Sequence, residues 1–186
     1  MTGNEAVLNV ASALDDCRVP YMLVGSYSTN FYGIPRSTQD ADFVIALGDM
    51  SIAELSRRLA PSIRIDPQLS FETVTLTRRY VADLVGTPFK IELFLLSGDA
   101  HDQERFRRRQ LVTTLSAQVW LPTLEDVIVT KLQWAHLANR SKDRDDARDV
   151  IAVQRDQIDW DYVHHWCEQH GTRSLLDEIR ASIPMI

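Results

Sequence analysis

Hydrophobic positions in the first two thirds of the chain switch repeatedly between a helical and a strand period. Val7, Leu8, Ala11 and Leu14 share one face of a helix expected over residues 4–17, which Pro20 ends. Tyr21-Met22-Leu23-Val24 has the length of a buried strand and is closed by Gly25-Ser26. A short helix over residues 26–32 follows, stopped by Gly33 and Pro35. Residues 40–47 read as a second strand. Ser51 with Glu54 three residues later is a capping-box pattern, so a helix is expected over residues 51–59. Residues 62–66, 71–79 and 89–96 read as strands, the middle one because Phe71, Thr73, Thr75 and Thr77 alternate with Glu72, Val74, Leu76 and Arg78. A polar helix over 101–109 and two short strands over 111–115 and 117–121 complete this part.

From Pro122-Thr123, with Asp126 three residues on, the pattern becomes helical throughout: residues 123–138, 142–154, 160–170 and 172–181. No internal repeat, low-complexity tract or long linker interrupts it. The expected architecture is α/β (α+β): four or five strands in one mixed sheet with flanking helices over residues 1–121, and a C-terminal helical region, 122–186, packed on that core.

Composition narrows the function classes. With 186 residues, 45% hydrophobic and 25% charged, the chain can bury a real core. A net charge of -6 argues against a general polyanion binder, so nucleic acid would need a local basic patch. Arg105, Arg107, Arg108 and Arg109 form a basic run, but without an aromatic platform it reads as a solvated helix end. Cys17 and Cys167 give neither a disulfide framework nor a zinc spacing. His164, Cys167 and His170 spread too widely around a helix for one metal, so an ordinary helix with a buried Cys167 is expected. No apolar run has membrane-spanning length, and the opening MTGNEAVLNV lacks a basic start. A cytoplasmic location follows as the expectation.

The candidate chemistry lies between Val24 and Ile45. Asp40 and Asp42 are two apart on a strand, so both point to one face, roughly 6.5 Å apart along the backbone. Two like charges so placed stay ionised cheaply only beside cations, and carboxylate oxygens suit Mg2+ or Mn2+. Glu92 interrupts IELFLL, an otherwise apolar run, where a lone carboxylate would be costly. Three carboxylates on neighbouring strands can hold two metal ions for in-line displacement at phosphorus. Gly25-Ser26, where a strand gives way to a helix, offers free backbone N–H groups and the positive end of a helix dipole to a phosphate.

Gly25-Ser26, Tyr32-Gly33, Arg36, Thr38 and the Asp40-x-Asp42 pair resemble the opening motif of the DNA-polymerase-β-like nucleotidyltransferase superfamily, especially its AbiEii-like toxin branch. Glu92 in KIELF matches that family's third carboxylate, with Glu where Asp is commoner. Lys131 matches its triphosphate-binding lysine, and the stretch from Arg140 to Val150 is similar to its Arg-x-Lys-x-x-Asp…Asp segment. The resemblance implies a nucleotidyltransferase fold and transfer of a nucleoside monophosphate from an NTP to RNA, protein or a small molecule. It also implies an antitoxin partner. The catalytic set is then Asp40, Asp42, Glu92 and one of Asp145, Asp146 and Asp149, with Asp146 taken as the member. Gly25, Ser26, Arg36 and Lys131 are the nucleotide-binding set, and Mg2+ or Mn2+ would be held by Asp40, Asp42 and Glu92. Most other charges between Arg140 and Asp149 read as a solvated helix face with ion pairs. The alternative is a catalytically inactive NTP-binding or interaction module.

Overall fold

The computed structural model describes residues 1–184, and the last two residues of the 122–186 region lie outside the described residues. In chain order the elements are α1 (Gly3–Asp16), β1 (Tyr21–Val24), α2 (Gly25–Tyr32), β2 (Asp40–Ile45), α3 (Ile52–Ser56), β3 (Ile63–Ile65), β4 (Ser70–Phe71), β5 (Arg78–Leu84) and β6 (Lys90–Leu95). They continue with α4 (Ala100–Arg108), β7 (Gln110–Thr114), β8 (Ala117–Leu121), α5 (Leu124–Ala138), α6 (Ser141–Gln154), α7 (Trp160–Gln169) and α8 (Arg173–Ser182). This is the mixed α/β arrangement with flanking and C-terminal helices. Two compact units form: Met1–Tyr27 with Ser37–Leu121, and Ser28–Arg36 with the chain from Pro122 onward.

In the first unit, six strands make one sheet of order β1-β2-β6-β5-β3, with β4 pairing β5, and β7-β8 form a separate hairpin. β2 and β6 run parallel, whereas β1–β2 and β5–β6 are antiparallel. The single sheet of four or five strands expected from sequence is thus corrected to six strands plus a hairpin. One face carries Tyr21, Leu23, Ala41, Phe43, Ile45, Ile91 and Leu93, which pack with the apolar stripe of α1 (Val7, Val10, Leu14) into the main core. The other face carries Met22, Val24 and Val44, which meet Phe106 of α4 in a smaller cluster. The expected capping box forms, with Ser51 and Glu54 capping each other at α3, and a second one joins Thr2 and Glu5 at α1.

The strand expected over residues 71–79 is also corrected. Only Ser70–Phe71 and Arg78–Leu84 are extended, and residues between them turn. The Glu72 carboxylate accepts from the backbone N–H groups of Val74 and Thr75 and from the Thr75 hydroxyl. That local capping competes successfully with a sheet ladder, and the alternating threonines gave a false strand signal.

In the second unit, α5 to α8 surround Val127, Ile128, Leu132, Val150, Ile151, Val163, Cys167 and Leu176, with Tyr32 and Trp166 against them. Thr123 caps α5, accepting from the Asp126 N–H, and Asn139 closes it in the left-handed conformation. Tyr162 donates to the fully buried Asp126, at 2.6 Å. Among the described residues, no helix is long and apolar enough to cross a membrane.

Candidate active site

The first unit gathers its acidic residues by strand register. Asp42 is the parallel partner of Glu92, and Val24 and Val81 extend that row on either side. Register partners project to the same face, and residues two apart along a strand do too, so Asp40, Asp42 and Glu92 share one face. It is the face opposite the main core. Asp40 is exposed, and Asp42 and Glu92 are half-buried.

β1 delivers the chain to this row and then must leave it sharply. Gly25 does so with φ +62, a conformation that L side chains rarely adopt. A Cβ at this position would collide with the Asp42 carboxylate, so glycine is required by space as well as by conformation. Ser26 follows in the first turn of α2 and is buried.

Each carboxylate here already has a local partner. The Thr38 hydroxyl donates to Asp40 Oδ1 at 2.5 Å. Arg79 Nη1 donates to Glu92 Oε2 at 2.7 Å. Burial pushes the Glu92 carboxyl above its ordinary value, and Arg79 opposes that while Asp40 and Glu72 add to it. Among the described residues, no three His, Cys, Asp or Glu side chains are gathered into a ready metal cage.

The second unit holds the remaining predicted residues as one cluster. Arg36 grips Asp146 through two hydrogen bonds, Nε to Oδ1 at 3.0 Å and Nη2 to Oδ2 at 2.9 Å. Lys131 Nζ lies 2.7 Å from Asp143 Oδ1 and 2.8 Å from Asp146 Oδ2. Asn30 fixes the Arg36 backbone from both sides, donating to its carbonyl and accepting from its N–H. Burial works against the charged form of Asp146, but Arg36 and Lys131 outweigh it and hold the carboxyl below its ordinary value. Of the aspartates in α6, Asp143 and Asp146 are buried, while Asp145 and Asp149 pair with Arg148 near the surface. The solvated-face expectation therefore fits only the latter two.

The family model for the nucleotidyl transferase AbiEii toxin, Type IV TA system, matches residues 22–153. The chain belongs to the AbiEii family. Solved structures agree on the fold of this AbiEii-family nucleotidyltransferase. It is similar to the crystal structure of ANT(2")-Ia in complex with adenylyl-2"-tobramycin, with a TM-score of 0.64 and 13% identity, covering 94% of this chain and 99% of that one. It is also similar to an antigenic nucleotidyltransferase-like protein from Paracoccidioides brasiliensis, with a TM-score of 0.52 and 17% identity, covering 98% and 94%. At such identities the likeness is one of fold. No curated protein matches the sequence.

Two charged residues beside these AbiEii-family positions had no site role in the sequence. Arg79 was hidden at the end of a misassigned strand, and Asp143 within a charge-rich helix. A signal for Arg79 existed: a carboxylate inside an apolar strand calls for a counter-charge from a neighbouring strand. Of the basic run, expected as a solvated helix end, only Arg107 is exposed, paired to Glu104; Arg105 is largely buried against Asp102, and Arg109 lies over the Phe106 and Trp120 rings.

Proposed function

We propose that this chain moves a nucleoside monophosphate from an NTP to a hydroxyl acceptor and releases pyrophosphate, with Asp40, Asp42 and Glu92 as ligands for Mg2+ or Mn2+. The observation that carries the reading is the Asp42–Glu92 pairing beside Gly25. The donor set fits such ions: three carboxylates offer hard oxygen ligands from one face, and Gly25 lets the Asp42 carboxylate lie where a side chain would otherwise stand. Bound there, divalent cations would offset the negative charge that builds as pyrophosphate departs.

The chain's own residues supply the rest of the proposal. Gly25, lacking a side chain, lets the triphosphate approach the backbone, and the first N–H groups of α2 face it with the positive end of the helix dipole. The Ser26 hydroxyl donates to a phosphate oxygen. Glu92 would also take the proton of the acceptor hydroxyl. For the second unit, the family resemblance gives Lys131 and Arg36 to the phosphates and Asp146 to the reaction. These groups spend their charge on one another, so a phosphate contact by Lys131 requires its ammonium to be shared with Asp143 and Asp146. RNA, a protein or a small molecule such as an aminoglycoside is the proposed acceptor, and an antitoxin the proposed partner.

The test is a transfer assay with each of four labelled NTPs against total RNA, total protein and an aminoglycoside panel. Magnesium-dependent label in one acceptor class, lost in Asp42→Asn, is the expected result. NTP binding with no transfer, unchanged in Asp42→Asn, would instead mean an interaction module.

A further inference from the structure

The carboxylate row has a resident cation that the proposed reaction leaves unused. Arg79 lies two residues before Val81, the register partner of Glu92, so it rises on the same face of the sheet. Its Nη1 contacts Glu92 Oε2 at 2.7 Å, and each side chain is 22% exposed. The guanidinium also lies over the Phe94 ring, 5.7 Å from its centroid. Its backbone is anchored by β4, where Ser70 is its register partner and donates a hydroxyl to the Arg79 carbonyl.

The pairing is nevertheless incomplete. Arg79 Nε is buried and makes no hydrogen bond. An arginine committed to a carboxylate for stability uses its planar fork, two parallel donors on two oxygens, as Arg36 does on Asp146. Arg79 uses a single arm on a single oxygen and rests its plane on an aromatic face that can keep it when the carboxylate is taken.

We propose that Arg79 is a displaceable counter-ion, which neutralises Glu92 in the absence of a divalent cation and yields that carboxylate when the cation arrives. The idea rests on the cation site proposed above. A half-buried carboxylate without any counter-charge is costly, so Arg79 offsets part of that cost and holds Glu92 in place beforehand. Two cations on one carboxylate repel, and the denser charge prevails. Arg79 therefore sets a threshold: it weakens cation binding while keeping the site ready. It is a positioning residue for Glu92.

The test is Mn2+ binding to the nucleotide-free, full-length chain, read from the EPR signal of free Mn2+. Arg79→Gln is expected to tighten binding about fivefold, the scale of a partly exposed ion pair. Arg79→Lys, which keeps the charge, should stay near wild type. In a Glu92→Gln background the gain should shrink below about twofold, since the competition is for that carboxylate. Arg79→Met, which keeps the contact with Phe94, reads the same quantity should the glutamine variant lose its native circular dichroism. Unchanged or weaker Mn2+ binding in a folded Arg79→Gln or Arg79→Met variant overturns the counter-ion role. The cation site itself survives that outcome if Asp42→Asn and Glu92→Gln still weaken binding. Indifference of Mn2+ binding to those two substitutions sinks the site and the Arg79 role together.

Discussion

Asp42 of β2 stands directly opposite Glu92 of β6 across a parallel strand pair, with Val24 and Val81 closing the row at its ends. Parallel pairing of these two strands brings together carboxylates fifty residues apart in sequence, and the sheet, unlike a loop, fixes their separation. Asp40 joins them one pleat along the same face. The side chains of Asp40 and Glu92 are bonded to local partners, Thr38 and Arg79.

Gly25 is the position where fold and chemistry meet most tightly. Gly25→Ala must hold an L residue at φ +62 and must also push the Asp42 carboxylate aside. The conformational part alone costs about 1–2 kcal/mol. A lower melting temperature together with weaker Mn2+ binding is expected. A variant with native melting and native Mn2+ affinity would show that the space beside Asp42 is not constrained.

In the second unit, Asp146→Ala removes the carboxylate that Arg36 and Lys131 share. Breaking such a buried arrangement from one side costs about 3 kcal/mol or more, which lowers the melting temperature by roughly 6–12 °C. Thermal unfolding followed by circular dichroism measures it. A shift within the scatter of surface substitutions would mean that the cluster carries little stability.

The same carboxyl gives a pH signature. The folded value of Asp146 lies below its ordinary one, so the unfolded chain binds its proton more readily. Its contribution is complete above the ordinary aspartate range, about 3.9, and is lost as pH falls through the lower folded value. Asp146→Asn should flatten the acid limb of a plot of stability against pH. The wild-type and variant curves should then converge below that window, and parallel curves would assign the acid loss elsewhere.

Glu72 holds the turn between β4 and β5 through two backbone N–H groups. Glu72→Ala should release it, at a cost of about 1–3 kcal/mol. Limited proteolysis is the measurement: new cleavage between residues 72 and 77 is expected, and an unchanged digestion pattern would show that the β-turn stands without the carboxylate.

Much of this was legible in the sequence because it is local. Ser51 with Glu54, Thr123 with Asp126, and the apolar stripe of α1 are signals within one helical turn or one face, and each formed as read. The candidate carboxylates were legible because charge inside apolar strands is costly enough to be conspicuous. Thr73, Thr75 and Thr77 misled because alternation records only a possible pleat, and a side-chain cap such as Glu72 leaves no trace in periodicity. That Glu92 needs a counter-charge was legible, but not that Arg79 supplies it, nor that Asp143 meets Lys131. Those pairings are set by strand register and helix packing, which one sequence does not encode in any short window.

The central claim, that Asp42 is indispensable to an NTP-consuming reaction, is tested most directly by pyrophosphate release. Wild-type chain and Asp42→Asn are compared with NTP, Mg2+ and cell extract as the source of acceptor, after matched circular dichroism shows both folded. Release by the wild type that falls at least about a hundredfold in Asp42→Asn is the predicted result. Equal release by both proteins would contradict it.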